Sequence, residues 1–247
     1  MFFINAKNIS HFFNSLHVLD DINLEIKEGE FISIVGPSGC GKTTLLKILG
    51  GLLSPTSGEL DIKGNSIDVA LKRRDFGFVF QNPVLLPWRN VLQNIELPLE
   101  VIGDKTPFAE SEKLLELVGL EDFGGYYPNA LSGGMKQRVT IARALVFNPD
   151  ILLLDEPFGA LDELIRERLN LELLRIWQET RKTIVFVTHS ISEAAFLSHR
   201  VIILSERPAK VVGVREIDLP FPRTSETRQS KEYFQHITWL RNQLKES

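Results

Sequence analysis

The chain has 247 residues, 43% of them hydrophobic, which suffices for one large core or two small ones. Its 28 basic and 32 acidic residues leave a net charge of -4, which argues against a nucleic-acid binder driven by bulk electrostatics, though a local basic patch stays compatible. The single cysteine excludes an internal disulfide and suits a reducing, cytosolic setting. Met1-Phe2-Phe3-Ile4 gives no signal-peptide core, and no apolar stretch is long enough for a bilayer, so the chain alone is expected to be soluble.

Residues 1–30 read as short strands, clearest where Ile22, Leu24 and Ile26 alternate with polar neighbours. The apolar run from Phe31 to Val35 reads as a buried strand, and Thr44 to Leu49 as the start of a helix. Between them lies Gly36-Pro37-Ser38-Gly39-Cys40-Gly41-Lys42-Thr43-Thr44, which fits G-x-x-x-x-G-K-[ST]. Glycines at 36, 39 and 41 let successive N–H groups turn toward phosphate oxygens, and the helix adds its positive end. Lys42 reaches the β- and γ-phosphates and the Thr43 hydroxyl ligates Mg²⁺. The stretch therefore predicts a nucleoside triphosphate site. Cys40, set among those amides, is expected to be open to alkylation that nucleotide would block.

Leu60 with Ile62 and then Phe76 to Phe80 are further strand candidates, the latter stopping at Gln81-Asn82-Pro83. From about Asn82, prolines at 83, 87, 98 and 107 punctuate short helical segments, and residues 82–148 read as a mostly helical insertion. Within it, Ser132 is a good N-cap and Gly133-Gly134 bare the backbone at a helix start: either a second anion site or an ordinary loop-to-helix cap. Ile151 to Leu154 is a buried parallel strand ending in Asp155-Glu156, where a carboxylate serves Mg²⁺ and a second orients a water for in-line attack. A long helix is expected from about Glu163 to Thr180, buried strands at 183–187 and 201–204, an edge strand at 211–214, and a closing helix marked by Phe234, Ile237, Leu240 and Leu244.

The glycine-rich loop at 36–44, Leu131-Ser132-Gly133-Gly134 and Ile151-Leu152-Leu153-Leu154-Asp155-Glu156 stand in the order and spacing of ABC-type ATPases. Over about residues 1–215 the chain resembles the ATP-binding subunit of an ABC transporter. The resemblance implies an α/β fold: a P-loop NTPase core with a mostly parallel sheet (1–81 and 149–215), an N-terminal antiparallel β subdomain, an inserted α-helical subdomain (82–148) and a C-terminal helical tail (216–247). ATP and Mg²⁺ are the implied cofactors. Gly36, Ser38, Gly39, Cys40, Gly41, Lys42, Thr43 and Thr44 match the phosphate cradle, and Thr43, Gln81 and Asp155 the metal site. Gln81 falls on the Q-loop glutamine, Glu156 on the catalytic carboxylate, and His189 on the switch histidine that holds the γ-phosphate and Glu156. By the same resemblance, Ser132, Gly133 and Gly134 of one subunit, with the D-loop ending in Asp162, close on ATP held by a second copy. Two positions depart from the usual pattern. Phe13, with Phe12 as rival, stands where a tyrosine commonly stacks on adenine, and both rings also read as core; Met135 replaces a glutamine.

Residues 81–91, Phe158 and Ser205-Glu206-Arg207-Pro208 resemble the nitrate, sulfonate and taurine branch of importers. That branch implies transmembrane permease subunits, an extracytoplasmic solute-binding protein, no nucleic acid, and a peripheral place on the cytoplasmic face of the inner membrane. Leu85, Leu86, Pro87 and Trp88 read either as the groove for a permease helix or, for Trp88, as buried core. A soluble ABC ATPase acting on DNA or ribosomes, and a P-loop kinase, are the competing readings.

Overall fold

Phe31-Ile32-Ser33-Ile34-Val35 is buried at every position, as expected of a strand covered on both faces. The structure, a computed structural model, describes residues 2–103 and 108–246. In chain order its elements are β1 (Ile4–Phe13), β2 (Leu16–Ile26), β3 (Phe31–Val35), α1 (Lys42–Leu49), β4 (Ser57–Ile62), β5 (Asn65–Ser66), α2 (Ile67–Arg73), β6 (Phe76–Val79), α3 (Val91–Val101), α4 (Phe108–Leu117), α5 (Gly133–Leu145), β7 (Ile151–Asp155), α6 (Glu163–Thr180), β8 (Thr183–Val187), α7 (Ile191–Leu197), β9 (Arg200–Leu204), β10 (Val211–Glu216) and α8 (Lys231–Glu246). The chain divides into two units, residues 1–73 with 182–247 and residues 74–181.

In the first unit β2, β1, β4 and β5 form an antiparallel sheet in that order. Instead of short strands, residues 1–30 give two long ones of 10 and 11 residues. Register shifts between Ala6 and Ile9, Ile9 and His11, and His11 and Phe12 break the alternation, so the strand period survives only near Ile22, Leu24 and Ile26. The hairpin turns at Asn14, whose left-handed φ of 53° an asparagine tolerates. The second sheet of this unit runs β10-β9-β3-β8, with β3 parallel to both neighbours and β10 as the antiparallel edge, longer than expected by two residues. Helices α2 and α7, absent from the sequence expectations, are each seven residues long.

The tail is tied down by a buried cation. Arg223, 3% exposed, donates through Nη1 to the carbonyls of Ala195, Phe196 and Ser198 and through Nη2 to those of Ile217 and Leu219, at 2.9–3.3 Å. Burial pushes its guanidinium down to about 10, so it stays charged at neutral pH. It thereby satisfies the open carbonyls at the end of α7. Below it, His236 is buried on α8. Its Nδ1 accepts from Arg215 Nε at 3.2 Å and its Nε2 faces Asp218 Oδ1 at 2.7 Å, which fixes a neutral ring with the proton on Nε2.

Burial holds His236 below the ordinary imidazole range; Arg215 and Arg223 push the same way and Asp218 opposes. The unfolded chain therefore takes up the proton first. Stability is fully present above the ordinary value of about 6.5 and is lost as pH falls below it. Thermal melts between roughly pH 8 and pH 5 should show a decline that is shallower in His236→Gln. An unchanged slope in that variant would remove His236 as its cause.

In the second unit β6 and β7 pair in parallel, with Val79 opposite Leu154. Helix α3 opens on a reciprocal capping box between Asn90 and Gln93, and α6 spans the expected residues behind an Asp162 cap. Fully buried Asn94 accepts from the Leu86 amide and donates to the carbonyls of Leu86, Arg89 and Asn90, moulding the turn before α3. Trp88, on that turn, is 70% exposed, which rules out the core reading of this residue. Among the described residues no helix is long and apolar enough to cross a membrane.

Candidate nucleotide site

The phosphate loop lies in the first unit, where β3 runs into α1. Gly41, at φ 128°, stands in backbone space that side chains avoid, and a Cβ there would press on Leu19 and Val18 at 2.9 and 3.0 Å. At Gly36 a Cβ would sit 2.9 Å from the Leu204 carbonyl. Helix α1 has no side-chain cap and no acidic residue in its first turn, so no local carboxylate offsets the positive end of its dipole. Lys42, 5% exposed, donates to the carbonyls of Gly36 (3.0 Å) and Pro37 (2.9 Å), which occupies two of an ammonium's three protons.

Strand register places the neighbours. Ile34 lies opposite Val187 and Val35 opposite Ile203, so Gly36 is level with His189 on one side and Leu204 on the other. All three are at the carboxyl ends of parallel strands, where open α/β sheets bind ligands. His189 is exposed on the turn into α7, a turn locked by Thr188, whose hydroxyl donates to Glu193 and accepts from the Ser190 amide. A cavity of about 290 Å³ is lined by Pro37, Ser38, Gly39, Cys40, Glu206 and Arg207. Arg207, noticed in the sequence only as a branch signature, donates to the Gly39 carbonyl and brings a second cation to the loop.

Cys40 departs from expectation. Its side chain is buried, with Sγ 3.0 Å from where a Cβ on Gly36 would be. Burial raises the thiol pKa, and Lys42 and Arg207 only partly offset it. It packs under the loop, where burial is expected to make alkylation slow. Phe12 and Phe13 are both exposed, which ends their reading as core. Phe12 has one face covered by His17, stacked at 4.0 Å, whereas Phe13 meets His11 edge to face. Phe13 pairs with Leu16, two residues before the Val18 that borders Gly41.

The second unit gathers the remaining residues. Val79 opposite Leu154 puts Gln81 level with Glu156 at the ends of β6 and β7, with Asp155 the last residue of its strand. Glu156 takes a left-handed φ of 43°, rare for a long side chain and a local cost that surrounding structure must sustain. Ser132 accepts from the Met135 amide as N-cap of α5, and Gly133 and Ser132 are exposed. A Cβ on Gly133 would come within 2.9 Å of Leu161, and one on Gly134 within 3.2 Å of Ile165, so the bare glycines also let the start of α6 approach. Asp162 has a structural duty here, accepting from the Ile165 amide at 3.0 Å. Gln137, which sequence reading passed over, is 3% exposed and donates to the carbonyls of Gln81 and Pro157.

Among the described residues no group of three or more His, Cys, Asp or Glu gathers to hold a metal.

A profile described as "ABC transporter" matches residues 19–159. An uncharacterised ABC transporter ATP-binding protein of Methanocaldococcus jannaschii is 45% identical over 98% of this chain and 91% of its own length. An aliphatic sulfonates import ATP-binding protein of Bacillus cereus is 43% identical over 95% and 92%. Among solved structures, a dimeric post-hydrolysis ATP-binding cassette bound to ADP and phosphate is 36% identical with a TM-score of 0.75, over 88% of this chain and all of that one. CbiO1 of Clostridium perfringens, part of a transporter complex, is 27% identical with a TM-score of 0.80, over 96% and 95%. The chain belongs to the ABC transporter family of ATP-binding proteins.

Proposed function

We propose that this ATPase energises solute import through separate membrane permease subunits, with nitrate, a sulfonate, taurine or a related small solute as the cargo. The observation that carries the chemistry is Glu156, held in a left-handed conformation at a strand end and level with Gln81. The import reading is supported by the sulfonate relative, which matches 95% of the chain.

Each residue then has a task. The loop amides from Gly36 to Thr44, with Lys42, bind and orient the β- and γ-phosphates, and Phe13 offers a face to adenine. Thr43, Gln81 and Asp155 hold Mg²⁺, which when bound neutralises charge developing on the phosphates. Glu156 orients the water and takes its proton as it attacks the γ-phosphorus, with ADP leaving. His189 holds the γ-phosphate. Ser132, Gly133, Gly134 and Asp162 meet the nucleotide of a second copy in a two-fold dimer. The core is divided as 1–81 with 149–215, the helical subdomain as 82–148 and the tail as 216–247. The protein sits peripherally on the cytoplasmic face of the membrane, with exposed Val84 and Trp88 toward the permease and a solute-binding protein on the far side.

Affinity purification from gently solubilised native membranes is the test. Recovery with a stoichiometric polytopic membrane protein supports import, and its companions identify the solute class. Recovery with ribosomes or DNA and no membrane protein overturns import in favour of a soluble ABC ATPase.

A further inference from the structure

Gln137 lies one turn into α5, the helix that begins at Gly133. A glutamine amide has two N–H protons and an oxygen, and this one, buried, uses all three groups. Nε2 donates to the carbonyl of Gln81, at 3.1 Å, and to that of Pro157. Oε1 is 3.1 Å from the Thr140 hydroxyl, which also donates to the Gln137 carbonyl at 2.7 Å and so fixes which way the amide points. Neither carbonyl belongs to a regular strand or helix: one ends the segment after β6, the other follows Glu156. Both segments carry residues given work on the nucleotide above.

Stability alone does not require this arrangement. A buried amide is costly unless every group is paired, and an apolar side chain of similar volume would fill the space without that demand. What the amide adds is a link. If the start of α5 moves when its Ser132-Gly133 end meets a ligand, residues 81 and 157 must follow or two hydrogen bonds are lost, the one to Pro157 buried and the one to Gln81 part-buried. Packed polar networks of this kind have discrete arrangements rather than a continuum. Glu156, held at a φ it would not choose, is the neighbour most sensitive to where Pro157 is anchored.

We infer that Gln137 is a positioning residue, through which the state of the α5 N-terminus sets the placement of Glu156 and Gln81 for hydrolysis. The inference rests on the roles proposed above for those two residues.

The test compares Gln137→Met, which keeps the volume and removes the bonds, with Thr140→Val, which keeps the shape and removes the hydroxyl that orients the amide. ATP affinity is measured with a fluorescent nucleotide, turnover by phosphate release, and folding by thermal melting. Gln137→Met is expected to lower kcat on the order of 10- to 100-fold, the scale of a misplaced catalytic group, with ATP affinity within about two-fold of the parent. Thr140→Val should move kcat the same way by a smaller factor. Unchanged kcat in both variants overturns the inference. So does parallel loss of affinity, turnover and melting temperature, which marks a residue that only holds the fold. Should Gln137→Met fail to fold, Thr140→Val decides by the same criteria. Glu156→Gln is measured alongside: if it still hydrolyses ATP, the assignment of the site is wrong, and if it does not while both other variants turn over normally, only Gln137 loses its role.

Discussion

Replacing Glu156 with Gln is expected to slow ATP hydrolysis about 1000-fold, within the range for removing a general base, while ATP affinity stays within about two-fold. Glutamine fills the same space at the end of β7 and still hydrogen-bonds a water, but its amide cannot take the proton. The loss should therefore fall on kcat. A second consequence follows from the two-fold arrangement: with hydrolysis blocked, saturating MgATP should hold two copies together, visible as a dimer in size exclusion with light scattering. Persistent monomer at saturating MgATP would sink the two-copy site, and near-parent turnover would sink the assignment of Glu156 as base.

The second large effect is on stability. Arg223→Met should cost about 3 kcal/mol, lowering the melting temperature by roughly 10 °C for a chain of this size. Methionine keeps the apolar stem but leaves the carbonyls at the end of α7 and before Pro222 without their donor. Arg223→Lys should fall between, because an ammonium is a point charge with three protons and cannot span five carbonyls on two segments. A melt of Arg223→Met that matches the parent would show that water replaces the guanidinium at no cost.

Much of this molecule was legible because its segments were extreme. Ile151 to Leu154 and Ile184 to Val187 are apolar throughout and buried throughout, as a strand covered on both faces requires. Helix α6 spans the expected residues, and the structure adds the reasons for its ends, a capping Asp162 and a left-handed Arg181 at φ 53°. The long N-terminal hairpin was blurred by its bulges. Helix α2 buries only Ala70 and offers no periodic face to read. Helix α7 carries a capping signal, Ser190 followed three residues later by Glu193, but its seven residues are too few to show a periodic face. In the site, spacing singled out the residues with a chemical signature, and the register sets Gly36 and His189 at one sheet end. Gln137, Arg207 and Arg223 were missed for one reason: each acts on backbone carbonyls, which no side-chain pattern records. The exposure of Trp88 and the burial of Cys40 were likewise matters of packing.

The backbone at Glu156 has a consequence for how this sequence drifts. Left-handed φ favours glycine and asparagine over a long acid by about 1 kcal/mol. Selection for robustness alone would replace this carboxylate, and under the role proposed for Glu156 selection for turnover would keep it. Glu156→Gly should therefore melt higher than the parent while hydrolysing nothing, and a lower melt would mean the carboxylate stabilises its own position. A copy of the gene released from the need to hydrolyse ATP would be expected to lose its acid here early, gaining stability as it does.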